Sequence, residues 1–279
     1  GQPALAEHQA DRISPEFSTG ATQKQLVRTQ RFMVSTANPH ASSAGHDILA
    51  AGGSAVDAMV AVQLVLGLVE PQSSGLGGGA FALLWDAEAE RLTTLDGRET
   101  APMAADGRLF IGEDGNPMGF FDAVIGGRSV GTPGTVALLH EAHRRHGRLA
   151  WARLFEPAIA LAENGFEVSP RLNALITRSA ESLFRFENTR RYFLSEEGVP
   201  LFVGTRLTNP AYADTLRRIA AEGPSAFYGG DIAADIVTTV QNAPGNPGLL
   251  SLGDLEAYAV KERAPVCVDY RGYEICGMG

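Results

Sequence analysis

Residues 54–86, SAVDAMVAVQLVLGLVEPQSSGLGGGAFALLWD, predict a buried helix, a glycine-rich loop and a strand in direct succession. Ser54, followed three residues later by Asp57, is the pattern of a capping box that begins a helix, and Pro71 marks the helix end. The helix is apolar almost all round, which indicates burial on several sides. The short apolar run AFALLWD, residues 80–86, is typical of a strand at the centre of a sheet.

Four of the five residues from 75 to 79 are glycine, which is costly in chain entropy unless the backbone requires it. A dinucleotide-binding loop is excluded, because such a loop follows a strand and opens a helix, whereas this one follows a helix and opens a strand. A Walker loop would also need its lysine. The segment therefore predicts a tight turn in which the backbone closely approaches a neighbour.

The flanking sequence indicates an α+β chain with a helix-rich middle section. A helix is predicted within residues 37–53, and RLTTLD, residues 91–96, predicts a strand that returns antiparallel to the first. Helical periodicity dominates residues 133–221. Residues 264–276, APVCVDYRGYEIC, alternate in the manner of a β-hairpin.

Composition narrows the class of protein. The chain has 279 residues, 44% of them hydrophobic, and a net charge of −9 with acids and bases interspersed, which argues against a nucleic-acid-binding surface. The most apolar stretch, residues 55–69, is shorter than the ~20 residues of a membrane span. Residues 1–30 are polar and aperiodic and begin with Gly1, which indicates an arm that remains after an export signal is removed.

The chain contains two cysteines, Cys267 and Cys276, so a disulfide framework and a cysteine-rich metal site are excluded. They fall on the two predicted strands of the hairpin and could pair in an oxidising compartment. We expect two buried thiols instead, because free cysteine is among the most buried residue types.

Residues 127–131, GRSVG, match the nucleophile elbow of serine hydrolases with Ser129 at the tip. An elbow needs a helix directly after the serine, but Gly131 and Pro133 follow. The fold also needs an acid and then a histidine after the serine, and Glu141 is the one acid between Ser129 and the last histidine, His146. We therefore do not expect Ser129 to be a nucleophile.

Residues 140–146, HEAHRRH, resemble the helix of a metalloprotease, but that motif needs a histidine where Arg144 stands. His140 and His143 could still hold a metal at the i, i+3 spacing. We favour a helix face whose histidines are partly buried or solvated.

Arg98 lies in LDGRETAP, residues 95–102, just past the returning strand and near the glycine loop if the two strands pair. Its guanidinium could hold a carboxylate by two parallel hydrogen bonds, which lysine cannot do. The residue pattern alone favours the alternative, a surface ion pair with Glu99 or with another acid, which contributes little.

Longer stretches carry a resemblance to a known family. Residues 33–85 followed by residues 95–102 resemble the N-terminal part of the γ-glutamyltranspeptidase family, and residues 130–170, 216–237 and 252–275 agree in colinear order. The resemblance extends from about residue 31 to residue 279. A run this long does not arise from glycine content alone.

The resemblance implies an N-terminal nucleophile hydrolase, a four-layer αββα sandwich that cuts itself into a large and a small subunit. In the family, the threonine that this cut exposes on the small subunit attacks a γ-glutamyl amide, typically that of glutathione. Water or another amine then takes the γ-glutamyl group. Arg98 matches the large-subunit arginine that grips the substrate's α-carboxylate. We accordingly expect the loop at residues 75–79 to bring the buried helix tightly against the first strand, close to Arg98.

The chain departs from the family at the nucleophile, which opens a segment resembling Thr-Thr-His. Here Thr93 and Thr94 precede Leu95, and the second threonine pair precedes Val240. We therefore expect a polar arm at residues 1–30 and an incomplete large-subunit domain at residues 31–279, with the autoprocessed small subunit as a partner.

Two alternatives remain at this stage. One is a cephalosporin or glutaryl acylase of the same superfamily, and the other is a non-catalytic homologue that kept the fold. The residue patterns imply no metal or organic cofactor. The location usual for the family and the polar arm together predict a periplasmic or extracellular location.

Overall fold

The structure, a computed structural model, describes residues 25–279, so most of the predicted N-terminal arm lies outside the described residues. The helices are α1 (Pro39–Ala50), α2 (Ala55–Val69), α3 (Phe120–Val124), α4 (Thr135–His146), α5 (Glu156–Asn164), α6 (Pro170–Phe184), α7 (Glu187–Phe193), α8 (Pro210–Glu222), α9 (Ser225–Tyr228), α10 (Gly230–Gln241) and α11 (Leu252–Glu256), with a 3₁₀ turn at Trp151–Phe155. The strands are β1 (Ala80–Asp86), β2 (Arg91–Gly97), β3 (Phe166–Glu167), β4 (Arg206–Leu207), β5 (Lys261–Arg263), β6 (Val266–Tyr270) and β7 (Tyr273–Gly277).

Helix α2 begins with the predicted capping box. The Ser54 hydroxyl accepts from the Asp57 amide at 3.1 Å, and the Ser54 amide donates to Asp57 Oδ2 at 2.8 Å. Asp57 is fully buried, and its Oδ2 also accepts the amides of Arg148 and Leu149, beyond the end of α4. One carboxylate thus both begins the central helix and fixes a distant connection to it.

The interior of the protein is built around α2, nine of whose residues are buried. α1 packs on it closely, because a Cβ at Gly45 would lie 2.7 Å from Val62 Cγ2. α4 and α5 also contact α2. The predicted helix-rich middle section is confirmed, since α4 to α8 follow one another with only the 3₁₀ turn and two short strands between them.

Strands β1, β2 and β5 form an antiparallel sheet in that order, with Ala80 opposite Gly97 and Asp86 opposite Arg91. The predicted antiparallel return is therefore confirmed. The prediction that β1 is a central strand is wrong for the described residues, because β1 lies at an edge of this sheet.

The two faces of β1 have different surroundings. Ala82 and Leu84 pack against the helical core, while the side chains of the alternate residues are exposed: Phe81, Leu83 and Trp85. A strand that is apolar on both faces is typical of burial between two layers. Here the described residues cover one face.

The predicted C-terminal hairpin is confirmed as β6 and β7, with Tyr270 opposite Tyr273. Its two turn residues, Arg271 and Gly272, both have positive φ, as in the tight turns that match strand twist. The expectation of two buried thiols is wrong: Cys267 and Cys276 face each other across the strands and form a disulfide, with Cys267 exposed. Opposite positions in an antiparallel pair bring the two Cβ atoms within reach of an S–S bond.

Candidate active-site cleft

Arg98 follows β2 directly, and its backbone is anchored on both sides. Its amide donates to Asp96 Oδ1 at 2.9 Å, and its carbonyl accepts from the Tyr258 hydroxyl at 2.8 Å. The side chain is exposed, and within residues 25–279 no hydrogen bond or ion pair engages its guanidinium. The surface ion pair with Glu99 is therefore not formed, and the guanidinium of Arg98 is available to a ligand.

Asp96 links the end of β2 to β5. Its Oδ2 accepts from Arg263 Nε at 2.6 Å. Partial burial by itself would raise the pKa of Asp96, but the hydrogen bonds from the Arg263 guanidinium and the Arg98 amide outweigh it and lower that pKa. Asp96 is thus a carboxylate at neutral pH that already accepts two hydrogen bonds. It does not pair with the guanidinium of Arg98.

Next to the backbone of Arg98, at Gly79 and Glu99, lies an open cleft of about 520 Å³. The glycine loop forms one wall, and the other lining residues are mostly polar: Gln63, Ser73, Ser74 and Glu99, with Pro71 and Ala80. A Cβ at Gly75 or Gly77 would meet no atom within 4 Å. Glycine at these two positions leaves space in the cleft that a side chain would fill.

A close backbone approach is found at Gly79, and it is made to the end of β2 and not, as expected, to the buried helix α2. A Cβ there would lie 2.7 Å from the Gly97 carbonyl oxygen and 2.8 Å from Arg98 Cα. Gly78 contributes its carbonyl, which accepts the amides of Gly134 and Thr135 at the start of α4. The loop thus joins the helical layer to the strand end that carries Arg98.

Ser129, the candidate nucleophile of the sequence, does not line the cleft. Ser129 is exposed and its hydroxyl donates to the Val124 carbonyl, and the next helix, α4, begins only at Thr135. This geometry agrees with the rejection of a nucleophile elbow.

His140 and His143 are half-buried, and both rings lie against Trp151 with centroids 5.3 and 5.2 Å apart. Burial, followed by the neighbouring His143, lowers the pKa of His140. His143 Nε2 lies 2.9 Å from the Leu149 carbonyl oxygen. The predicted partly buried histidine face is confirmed.

Two residues of the site were not predicted. Glu99 lines the cleft. The signal for it in the sequence was that it directly follows Arg98. Tyr258 reaches Arg98 from 160 residues away, and no local pattern indicates that contact.

The family model described as γ-glutamyltranspeptidase matches residues 41–279. The chain belongs to the γ-glutamyltranspeptidase family. The crystal structure of Helicobacter pylori γ-glutamyltranspeptidase superposes with a TM-score of 0.86 at 31% identity, over 91% of this chain and 72% of that one. The α+β fold of an N-terminal nucleophile hydrolase is thereby confirmed.

The curated proteins similar to this chain include both a glutathione hydrolase and an acylase. The glutathione hydrolase proenzyme of Bacillus subtilis (strain 168) is 38% identical over 252 residues, which is 90% of this chain and 42% of the relative. The acylase ACY 1 proenzyme of Pseudomonas sp. (strain SE83) is 37% identical over 268 residues, 94% of this chain and 47% of the relative. The chain thus spans less than half the length of either relative.

A membrane-crossing helix is not found between residues 25 and 279, since none there combines the necessary length and apolar character.

Proposed function

We propose that this chain is the large-subunit portion of an enzyme that cleaves the γ-glutamyl amide of glutathione and transfers the γ-glutamyl group to water or an amine. The observation that carries the proposal is the unpaired, exposed guanidinium of Arg98, whose chain neighbour Glu99 and whose close backbone contact Gly79 both line an open, glycine-walled cleft. Membership of the γ-glutamyltranspeptidase family supports the choice of substrate.

Arg98 would bind the α-carboxylate of the γ-glutamyl group. A planar guanidinium donates two parallel hydrogen bonds to a carboxylate, and these charge-assisted bonds are about twice as strong as neutral ones. Because the backbone of Arg98 is already held in place, less conformational entropy is lost when a carboxylate binds. The cleft beside it has room for the rest of the γ-glutamyl chain.

The acyl transfer itself would be done by a threonine outside this chain, at the start of a small subunit. Its hydroxyl oxygen bonds to the amide carbonyl carbon while its own α-amine takes the hydroxyl proton, and the leaving amine departs protonated as the C–N bond breaks. Water or an amine then attacks the acyl-enzyme and restores the threonine. The proenzyme name of the Bacillus subtilis relative supports a processed pair.

The exposed face of β1 is where we place the small subunit. Phe81 and Leu83 are each 45% exposed and Trp85 is 59% exposed, on alternate positions of one strand. An apolar stripe of this kind on a sheet is normally covered by a second layer. The αββα order expected for the family assigns that layer to a second sheet.

Replacing Arg98 with lysine tests the substrate assignment. Lysine keeps the charge but loses the two-pronged geometry, so we expect KM for γ-glutamyl-p-nitroanilide to rise about 10- to 100-fold with a small change in kcat. The protein from the complete gene is used. Arg108→Lys is the matched control, because Arg108 is exposed and already paired with Asp106. An unchanged KM in Arg98→Lys would contradict the role.

An acylase of the same superfamily is the second candidate, because identity to the acylase, 37%, is close to that to the glutathione hydrolase, 38%. A glutaryl amide keeps the carboxylate that Arg98 would bind and lacks only the α-ammonium group. Comparing kcat/KM for γ-glutamyl- and glutaryl-p-nitroanilide therefore separates the two enzymes. Failure to hydrolyse either would support a non-catalytic homologue.

We also propose that the protein acts in the periplasm or outside the cell. The support is the disulfide between Cys267 and Cys276, because disulfides persist in oxidising compartments and are rare in the cytosol.

A further inference from the structure

The backbone of Arg98 is held by a residue from the far end of the chain. The Tyr258 hydroxyl donates to the Arg98 carbonyl oxygen at 2.8 Å. Together with the bond from the Arg98 amide to Asp96, this contact satisfies both backbone polar groups of Arg98. The guanidinium is then the part of Arg98 that remains free to move.

Tyr258 is itself fixed by a second tyrosine. Its ring stacks on that of Tyr228, with centroids 5.8 Å apart and planes within 5°. The Tyr228 hydroxyl donates to the Pro133 carbonyl at 2.8 Å and accepts the Ala137 amide at 3.2 Å, at the start of α4. The pair therefore connects Arg98 to the helix that also holds the glycine loop.

The segments that carry Tyr258, Gly97 and Gly134 are in close contact. A Cβ at Gly134 would lie 2.1 Å from both the Tyr258 hydroxyl oxygen and the Gly97 carbonyl oxygen. Gly134 also donates its amide to Gly78 in the cleft wall. A shift of the Tyr258 hydroxyl would therefore be transmitted to the strand end and to the wall.

Helix α11 holds the chain that follows β2 at a second point, Met103. Ser251 and Asp254 form a capping box that begins α11, and Asp254 Oδ1 accepts the Met103 amide at 2.7 Å. The chain after β2 is thus held at Met103 by α11 and at Arg98 by Tyr258, which lies two residues beyond that helix. Two contacts on either side of Glu99 restrict the path of that residue as well.

The Tyr258 hydroxyl keeps its proton under physiological conditions. Burial, followed by the nearby charges of Asp96 and Glu99, raises the pKa of Tyr258 to about 12. It therefore serves as a hydrogen-bond donor to Arg98 across the whole working pH range of an enzyme.

We propose that Tyr258 is a positioning residue, which holds the Arg98 backbone so that the guanidinium meets the α-carboxylate of the substrate. This inference rests on the proposed γ-glutamyl specificity. Tyr258 would not touch the substrate. Its contribution would appear in the binding of substrates that carry the carboxylate.

The test is Tyr258→Phe in the protein from the complete gene, since phenylalanine keeps the stack on Tyr228 and removes only the donor. We expect KM for γ-glutamyl-p-nitroanilide to rise about 3- to 10-fold with kcat little changed. KM for 4-aminobutyryl-p-nitroanilide, which lacks the α-carboxylate, should be unchanged. In an Arg98→Ala background, Tyr258→Phe should have no further effect on KM.

Tyr212→Phe is the matched control, because the Tyr212 hydroxyl donates to a different backbone carbonyl, that of Leu64, at 2.9 Å. It should lower the thermal unfolding temperature without the split between the two substrates. A general structural effect would raise KM for both substrates alike in Tyr258→Phe and would overturn the inference, as would an unchanged KM for both. If Arg98→Ala leaves KM unchanged, the proposed function itself fails.

Discussion

Replacing Gly79 with alanine tests whether the glycine loop exists for a close backbone approach. The new Cβ would lie 2.6 Å from Glu99 Oε2, 2.7 Å from the Gly97 carbonyl oxygen and 2.8 Å from Arg98 Cα. The exposed Glu99 side chain can rotate away, but the other two atoms belong to the backbone. Unstrained contacts between such atoms lie at about 3.5 Å, so the strand end must move by roughly half an ångström or more.

Forcing an extra methyl group into a packed region costs about 1–3 kcal/mol. We therefore expect the free energy of unfolding of Gly79→Ala to fall by that amount, as measured by urea denaturation of the complete protein. KM for γ-glutamyl-p-nitroanilide should rise as well, because the displaced backbone carries Arg98.

The same loop provides matched controls for stability. A Cβ at Gly77 would have no neighbour within 4 Å, and Gly77 is not at positive φ. Gly77→Ala should therefore be neutral or stabilise the protein by up to about 1 kcal/mol. At Gly78 the nearest atom would be 3.5 Å away, which is an ordinary contact. If Gly79→Ala is as stable as Gly77→Ala and keeps a normal KM, the close approach is not what requires glycine at position 79.

Two further predictions concern stability. Asp57→Ala leaves three backbone N–H groups without their carboxylate acceptor and should lower the free energy of unfolding by about 3–5 kcal/mol. Asp57→Asn should lose less than half as much because its amide oxygen still accepts, and equal losses would mean that the charge rather than the acceptor matters. Cys267→Ser should destabilise the protein by about 2–3 kcal/mol, since the disulfide to Cys276 closes a short loop. Thiol alkylation of the native protein without a reductant should label neither cysteine, and labelling of both would show that the disulfide does not form.

Local patterns were sufficient for several elements. The Ser54 and Asp57 spacing predicts the capping box, because both partners lie within one helical turn. The alternation around Arg271 and Gly272 predicts the hairpin for the same reason, since the turn residues and both strands are contiguous. The resemblance to the γ-glutamyltranspeptidases supplied the family and its fold, and it selected Arg98 against a residue-level interpretation as an ion pair.

The state of the cysteines and the position of β1 needed the tertiary structure. Whether Cys267 is buried or paired depends on what covers the hairpin, and the prediction of buried thiols assumed a cover that the described residues do not provide. In the same way, an apolar run cannot show whether it lies at the centre or the edge of a sheet, because both positions place apolar side chains on at least one buried face.

The sequence by itself determined the two N-terminal helices, the strand pair that follows them, the C-terminal hairpin, the family and the identity of the candidate carboxylate-binding arginine. Only the tertiary structure decided that Gly79, rather than the whole loop, is the tight point, and that Tyr258 reaches Arg98 across 160 residues. Secondary structure depends on neighbours within a few positions, which a sequence displays directly. Contacts between distant segments depend on how packed layers meet, and no local spacing records that.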